Sequence, residues 1–205
     1  MADHGDKAFT IDFIDPLFAV AIHIGLTHGI VDEAWFREWR PPNGHEVFDV
    51  LALSLGFWTV ILSWVGYHES IKGKPLKGLG RFVVDVLLVG SYALLLVKFK
   101  DIDAVLMLLV WIYLLFIVWD LFKVREYKDT YQGATWSRRY RRELVTGGWF
   151  AAFLGLLVAR KALDLTPVAT LVGMWVATIM YRVNKGVPMW SSLVSAIGKR
   201  AFGGG

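Results

Sequence analysis

The sequence predicts an all-α polytopic membrane protein with six transmembrane helices and cytoplasmic N- and C-termini. Three observations lead there. Hydrophobic residues make up 56% of the 205-residue chain, more than a soluble domain of this length needs for its core. They fall into six long blocks separated by short polar segments. The cationic residues gather in alternate segments, as the positive-inside rule requires of an even number of spans.

The blocks run over about 11–31, 47–68, 82–99, 103–123, 147–164 and 167–183. The first, FIDPLFAVAIHIGLTH at its centre, is apolar apart from Asp12, Asp15, His23, Thr27 and His28. WFREWRPPNG follows: Trp35 and Trp39 suit an outer interfacial belt, and Pro41-Pro42 stops any helix. The segment after block two carries Lys72, Lys74, Lys77 and Arg81. The segment after block four carries Lys123, Arg125, Lys128, Arg138, Arg139, Arg141 and Arg142, and Arg182, Lys185, Lys199 and Arg200 follow block six. On the opposite side Arg37 and Arg40 are balanced by acids. Blocks five and six are short and interrupted by Gly148, Gly155 and Gly173. The turn Asp164-Leu165-Thr166-Pro167 parts them, with Pro167 suited to the first turn of the last helix. The expected organisation is one transmembrane domain over 1–186 and a short cytoplasmic tail over 187–205.

Composition excludes several function classes. The absence of cysteine removes disulfides, thiolate metal sites and cysteine nucleophiles. The net charge of +4 arises from loop cations that topology explains, so nucleic acid is not an expected partner. TWSRRYRREL (135–144) reads as an amphipathic segment lying on anionic lipid. Asp3, Asp6 and Asp12 occupy the region where a signal peptide would be basic. No HExxH or GxSxG motif occurs, and His45 and Glu46 are adjacent rather than one helical turn apart, so neither enzyme chemistry nor a metal or cofactor is expected.

An ionisable residue in an apolar helix needs a partner or a polar path. Asp15 lies at the level where helix two, running back, presents Trp64, Tyr67 and His68. Trp64 and His68 are four apart and share a face. Arg81, Asp85 and Asp120 fall at the same depth. A single polar network around Asp15 is the expectation, with Asp15 accepting from Trp64, Tyr67 or His68. It reads either as a device that fixes helix packing or as part of a transport path. At about 100° per residue, Val20, Ile24 and Thr27 form one stripe of helix one, roughly 140° from Asp15. That stripe faces lipid or further copies of the chain. His23, about 60° from the stripe, reads as a core histidine bonded to a neighbouring helix or, with His28, as a proton-sensitive group. Gly25 and Gly29 have the GxxxG spacing of closely packed membrane helices.

On these residues the chain resembles the endolysosomal potassium channel family of transmembrane protein 175, and within it the single-repeat bacterial members. Phe13-Ile14-Asp15 followed by a small and aliphatic run is similar to the Phe-Ser-Asp signature that opens that family's first helix. Phe57, Trp64, Tyr67 and His68 match the spacing of its second-helix Phe, Trp and His-His. Ile14, Pro16, Tyr67 and the apolar position 9 are departures from the pattern. The resemblance covers roughly the first 68 residues and implies a homotetramer in a bacterial inner membrane, with helix one lining a pore narrowed by aliphatic side chains. Carried over, it places Val20, Ile24 and Thr27 on a hydrophobic gate that passes monovalent cations, potassium above all.

Three functions follow as expectations. The first is an oligomeric potassium-permeable cation channel lined by helix one. The second is a proton-conducting or pH-gated channel using His23. The third is a non-conducting scaffold or effector that recruits a soluble partner through its basic cytoplasmic loops. Homo-oligomer contacts, cations and lipids are the expected partners.

Overall fold

The computed structural model describes residues 6–28, 38, 43–71, 78–127 and 136–185, with side chains from 14 onward in the first helix and from 144 onward in the fifth. These residues form six helices: α1 (Asp6–Leu26), α2 (Gly44–Ile71), α3 (Leu79–Val97), α4 (Ile102–Glu126), α5 (Trp136–Ala162) and α6 (Pro167–Lys185). No strand occurs among the described residues. The Trp35/Trp39 belt with Pro41-Pro42, Gly29, the loop cations Lys72, Lys74 and Lys77, the side chains of 135–143 and the 187–205 tail lie outside the described residues.

Local sequence sets the helix ends. Asn43 Oδ1 accepts from the backbone N–H groups of His45 and Glu46 at 3.1 Å, and Glu46 Oε2 accepts from Asn43 N at 2.7 Å. This reciprocal capping box satisfies donors that the first turn of α2 leaves open. Asp101 caps α4 by accepting from Ala104 N, while Lys123 and Arg125 in the last turn oppose the helix dipole. Thr166 Oγ1 accepts from Ala169 N, and Pro167 takes the first position of α6, where its missing N–H costs nothing. The α5–α6 turn includes Asp164 at φ 47°, a left-handed conformation that aspartate tolerates better than most residues.

Two helices differ from the expected spans. The α1 helix begins at Asp6, five residues earlier than expected, and is α-helical to Leu26, while the expected end at 31 lies outside the described residues. Thr27 and His28 continue in a wider turn. The α5 helix begins at Trp136 because its basic amphipathic stretch is continuous with the apolar part, and that apolar part, Leu144–Ala162, lies within three residues of the expected span over 147–164.

α3 is central: it packs against α1, α2 and α4, while α4 also packs on α5 and α6 bridges α5, α4 and α2. Leu55, Leu95, Leu96, Leu106, Leu109 and Ile112 are fully enclosed in the middle of the bundle. Tyr113, Phe153 and Tyr181 bring rings of α4, α5 and α6 together, with centroids 4.5 Å apart for Tyr113–Phe153 and 4.8 Å for Tyr113–Tyr181. The outer faces stay apolar: Leu87, Leu94, Met107, Trp111, Val158 and Val176 are all exposed. Apolar surface that runs round a bundle in this way is matched by hydrocarbon, not water. Four helices are long and apolar enough to cross a membrane: α2, α3, α4 and Leu144–Ala162 of α5. The molecule is a helical integral membrane protein.

Close approach of backbones holds α1 and α2 to α3. Leu96, fully buried, lies against two glycines at once. A Cβ on Gly25 would stand 2.6 Å from Leu96 Cδ1, and one on Gly56 would stand 2.9 Å from Leu96 Cδ2. Both glycines therefore serve as sockets for one side chain. Gly56→Ala is expected to destabilise the bundle by about 1–3 kcal/mol through overpacking. Combining it with Leu96→Ala, which vacates the clashing atoms, should cost less than the sum of the two single changes. Unfolding in detergent checks this, and strictly additive effects would contradict the shared socket.

Candidate functional site: a polar chamber at one end of the bundle

The C-terminal ends of α2, α4 and α6 meet the N-terminal end of α3 at one end of the bundle, and almost every buried charge gathers there. Asp15 comes from the middle of α1. Its Oδ1 accepts from Trp64 Nε1 at 3.0 Å and lies 2.8 Å from His68 Nε2. Trp64 and His68 meet edge-on at 5.1 Å, so the two rings brace each other while both engage the carboxylate. The four-residue spacing on α2 makes this convergence possible.

Tyr67 does not join them. Its hydroxyl is buried without a hydrogen-bond partner, and its ring turns inward toward Phe18, 6.4 Å away. One position before His68 on a helix is about 100° round, which takes Tyr67 into the bundle. Arg81, Asp85 and Asp120 also stay apart from Asp15, which corrects the expected single network. Arg81, wholly buried, donates from Nη1 to Glu126 at 2.8 Å and stacks over Trp119 at 4.5 Å. Asp120 accepts from Thr146 and from Lys185 Nζ, each at 3.2 Å, and Lys185 also donates to Tyr181 at 2.7 Å. Lys123 Nζ donates to the carbonyl of Ser70 at 2.9 Å and to its hydroxyl. Arg81 and Asp120 find charged partners on helices packed against their own, and Asp15 sits on a different pair of helices.

Between these clusters lies a cavity of about 110 Å³, walled by α2, α3, α4 and α6 with Phe18 of α1 at one side. Asp85 and Asp120 both line it, as do Arg182 and Lys185, which the sequence reading treated only as topogenic cations. Arg182 is only 4% exposed. It donates from Nη1 to the Leu62 carbonyl at 3.2 Å and from Nη2 to Ser63 Oγ at 2.7 Å. A buried arginine bonded only to neutral groups is the unusual feature of this chamber. The sequence signal that points to it is a cation three residues ahead of another, Arg182 and Lys185, at the end of an apolar helix.

The bare face of α1 lies on the outside. Ile14, Phe18, Ala21 and Gly25 are buried. Pro16, Ala19, Val20, His23 and Leu26 are exposed. Ile24 and Thr27 are half-buried, and His28 is exposed. The bare face therefore centres on His23, about 60° round from the expected stripe, because the docked face is set by Phe18 and Gly25. His23 is not a core histidine. Its backbone carbonyl accepts from Thr27 Oγ1 at 2.9 Å.

Comparison of the chain with family models, curated proteins and solved structures finds no match. Among the described residues no group of histidines and carboxylates is arranged to hold a metal ion.

The buried Asp120–Lys185 pair gives a test of the chamber's electrostatics. Lys185→Met strands Asp120 in low dielectric and is expected to cost about 3–5 kcal/mol of stability. Adding Asp120→Asn should return most of that loss. Chemical unfolding of the two variants distinguishes this from a packing role, for which the second change would bring no recovery.

Proposed function

We propose that the protein is an oligomeric cation channel, potassium-permeable, in which α1 of each subunit lines the conducting path. The observation that supports this reading is the two-sided build of α1. One face docks on α3, and Asp15, tied to Trp64 and His68, fixes the rotation that leaves Val20 and its neighbours uncovered. Six spans with cytoplasmic termini and four copies around α1, in a bacterial inner membrane, complete the proposal. They rest on the charge pattern of the loops and on the similarity of the first 68 residues to the transmembrane protein 175 family. In this arrangement Val20, with Ile24 and Thr27 at its flank, forms a narrow apolar ring. Such a ring gates by dewetting and favours the more weakly hydrated potassium over sodium.

The exposure of His23 at the centre of the bare face favours a pH-gated or proton-conducting version of the same channel.

Reconstitution into liposomes tests both. Potassium flux should rise in Val20→Asn and Ile24→Asn as the ring is wetted, and cross-linking should trap four subunits. Unchanged flux in both variants, or a monomer, would sink the pore assignment, and a tetramer that passes no ions would favour the scaffold role. His23→Ala should flatten the dependence of flux on pH between about 5 and 8 if His23 is the gating group. A profile that keeps its shape removes His23 from the mechanism.

A further inference from the structure

The chamber inside each subunit is separate from the outer face of α1, and its polar atoms are incompletely satisfied. Asp85 is 3% exposed, and its Oδ2 has no hydrogen-bond partner. Arg182 holds two neutral partners, but its Nε has none. The Tyr67 hydroxyl is also unpartnered. All three residues line the same cavity. Among the described residues neither Asp85 nor Arg182 forms an ion pair; Asp120 is committed to Lys185, while Arg81, bonded to Glu126 through Nη1, keeps Nε and Nη2 open and attracts the Asp85 carboxylate only across a distance. Burying the Asp85 Oδ2, the Arg182 Nε and the Tyr67 hydroxyl without hydrogen bonds is costly unless something enters to meet them.

We propose that the chamber binds a small zwitterion of amino-acid size, its ammonium group on Asp85 and its carboxylate on Arg182. The two open charges have opposite sign, so one molecule carrying both complements meets both. A simple cation would satisfy Asp85 but leave Arg182 unmatched and be repelled by Lys185. A simple anion would satisfy Arg182 but be repelled by Asp85 and Asp120. The cavity of about 110 Å³ holds only several waters or one small molecule. Tyr92, Phe116 and Trp119 add aromatic wall, which suits an ammonium group and a short apolar side chain. The Tyr67 hydroxyl offers one further hydrogen bond. Exposed Glu69 and half-buried Ser70 and Lys185 mark the mouth at the end of the bundle. This site is independent of whether α1 lines a pore.

Purified full-length protein in detergent provides the test, with glycine and alanine as probes and acetate and methylammonium as the half-ligands. Glycine or alanine should raise the unfolding temperature and bind measurably by calorimetry, while acetate and methylammonium at the same concentration should not. Asp85→Asn, close to isosteric, should weaken alanine binding at least about tenfold, the loss of a charge-assisted hydrogen bond. Tyr67→Phe removes a single hydroxyl and keeps the fold testable should Asp85→Asn be poorly behaved; it should weaken binding about fivefold. Stabilisation by acetate or by methylammonium equal to that by alanine would overturn the zwitterion assignment in favour of an anion or a cation. No response to any of the four would mean that the chamber holds only water, and would also overturn it.

Discussion

Ionised side chains inside a bundle with a hydrocarbon exterior must meet partners within the protein, and this constraint sets the register of the helices. Each uncompensated charge would cost several kcal/mol. Arg81 with Glu126 fixes the start of α3 against the end of α4. Asp120 with Lys185 fixes the end of α4 against the end of α6. Lys123 reaches Ser70 at the end of α2. A slip of one helical turn along any of these contacts would strand at least one charge. The opposite end of the bundle is held more loosely, by Asp103 with Arg160 at 3.2 Å and Lys161 at 3.7 Å, and Asp103 there is partly solvated.

Much of this was readable without coordinates, and the limits have physical causes. Span lengths follow from hydropathy, so α2, α3 and α4 begin and end within about three residues of the expected positions. The start of α5 is displaced further because charge pattern marks where lipid ends, not where hydrogen bonding along the backbone ends. The convergence of Trp64 and His68 on Asp15 was legible because helical spacing alone brings two side chains four apart to one face. The partners of Arg81 and Asp120 were not. Depth along the membrane normal follows from position in a span, but which helices are neighbours depends on packing among all six. The Asn43–Glu46 capping box is a local signal that sequence carries in full.

The chamber also shows why a charge near a helix end has two readings. Arg182 and Lys185 close the last apolar block, where cations ordinarily report topology. In the folded chain both turn inward, and Arg182 reaches the backbone of α2 beside Gly66, whose missing side chain leaves that approach open: an added Cβ would lie 3.4 Å from Nη1. The same residues can serve orientation during insertion and chemistry afterwards. Only the rotation of α6 about its axis separates the two, and an amphipathic period cannot fix that rotation when the outer faces are as apolar as the core.

The fastening of α1 has a mechanical consequence. Asp15 is held by α2 at the middle of α1, and Gly25 is keyed to Leu96 of α3 ten residues further on, about 15 Å along the axis. A rod pinned once can swivel; pinned twice, against two different supports, it can neither roll nor swing alone. Torque applied to α1 is passed to α2 at one pin and to α3 at the other. Any displacement of its outer surface is therefore a movement of a three-helix plate, stiff in twist, rather than the turning of a single stave.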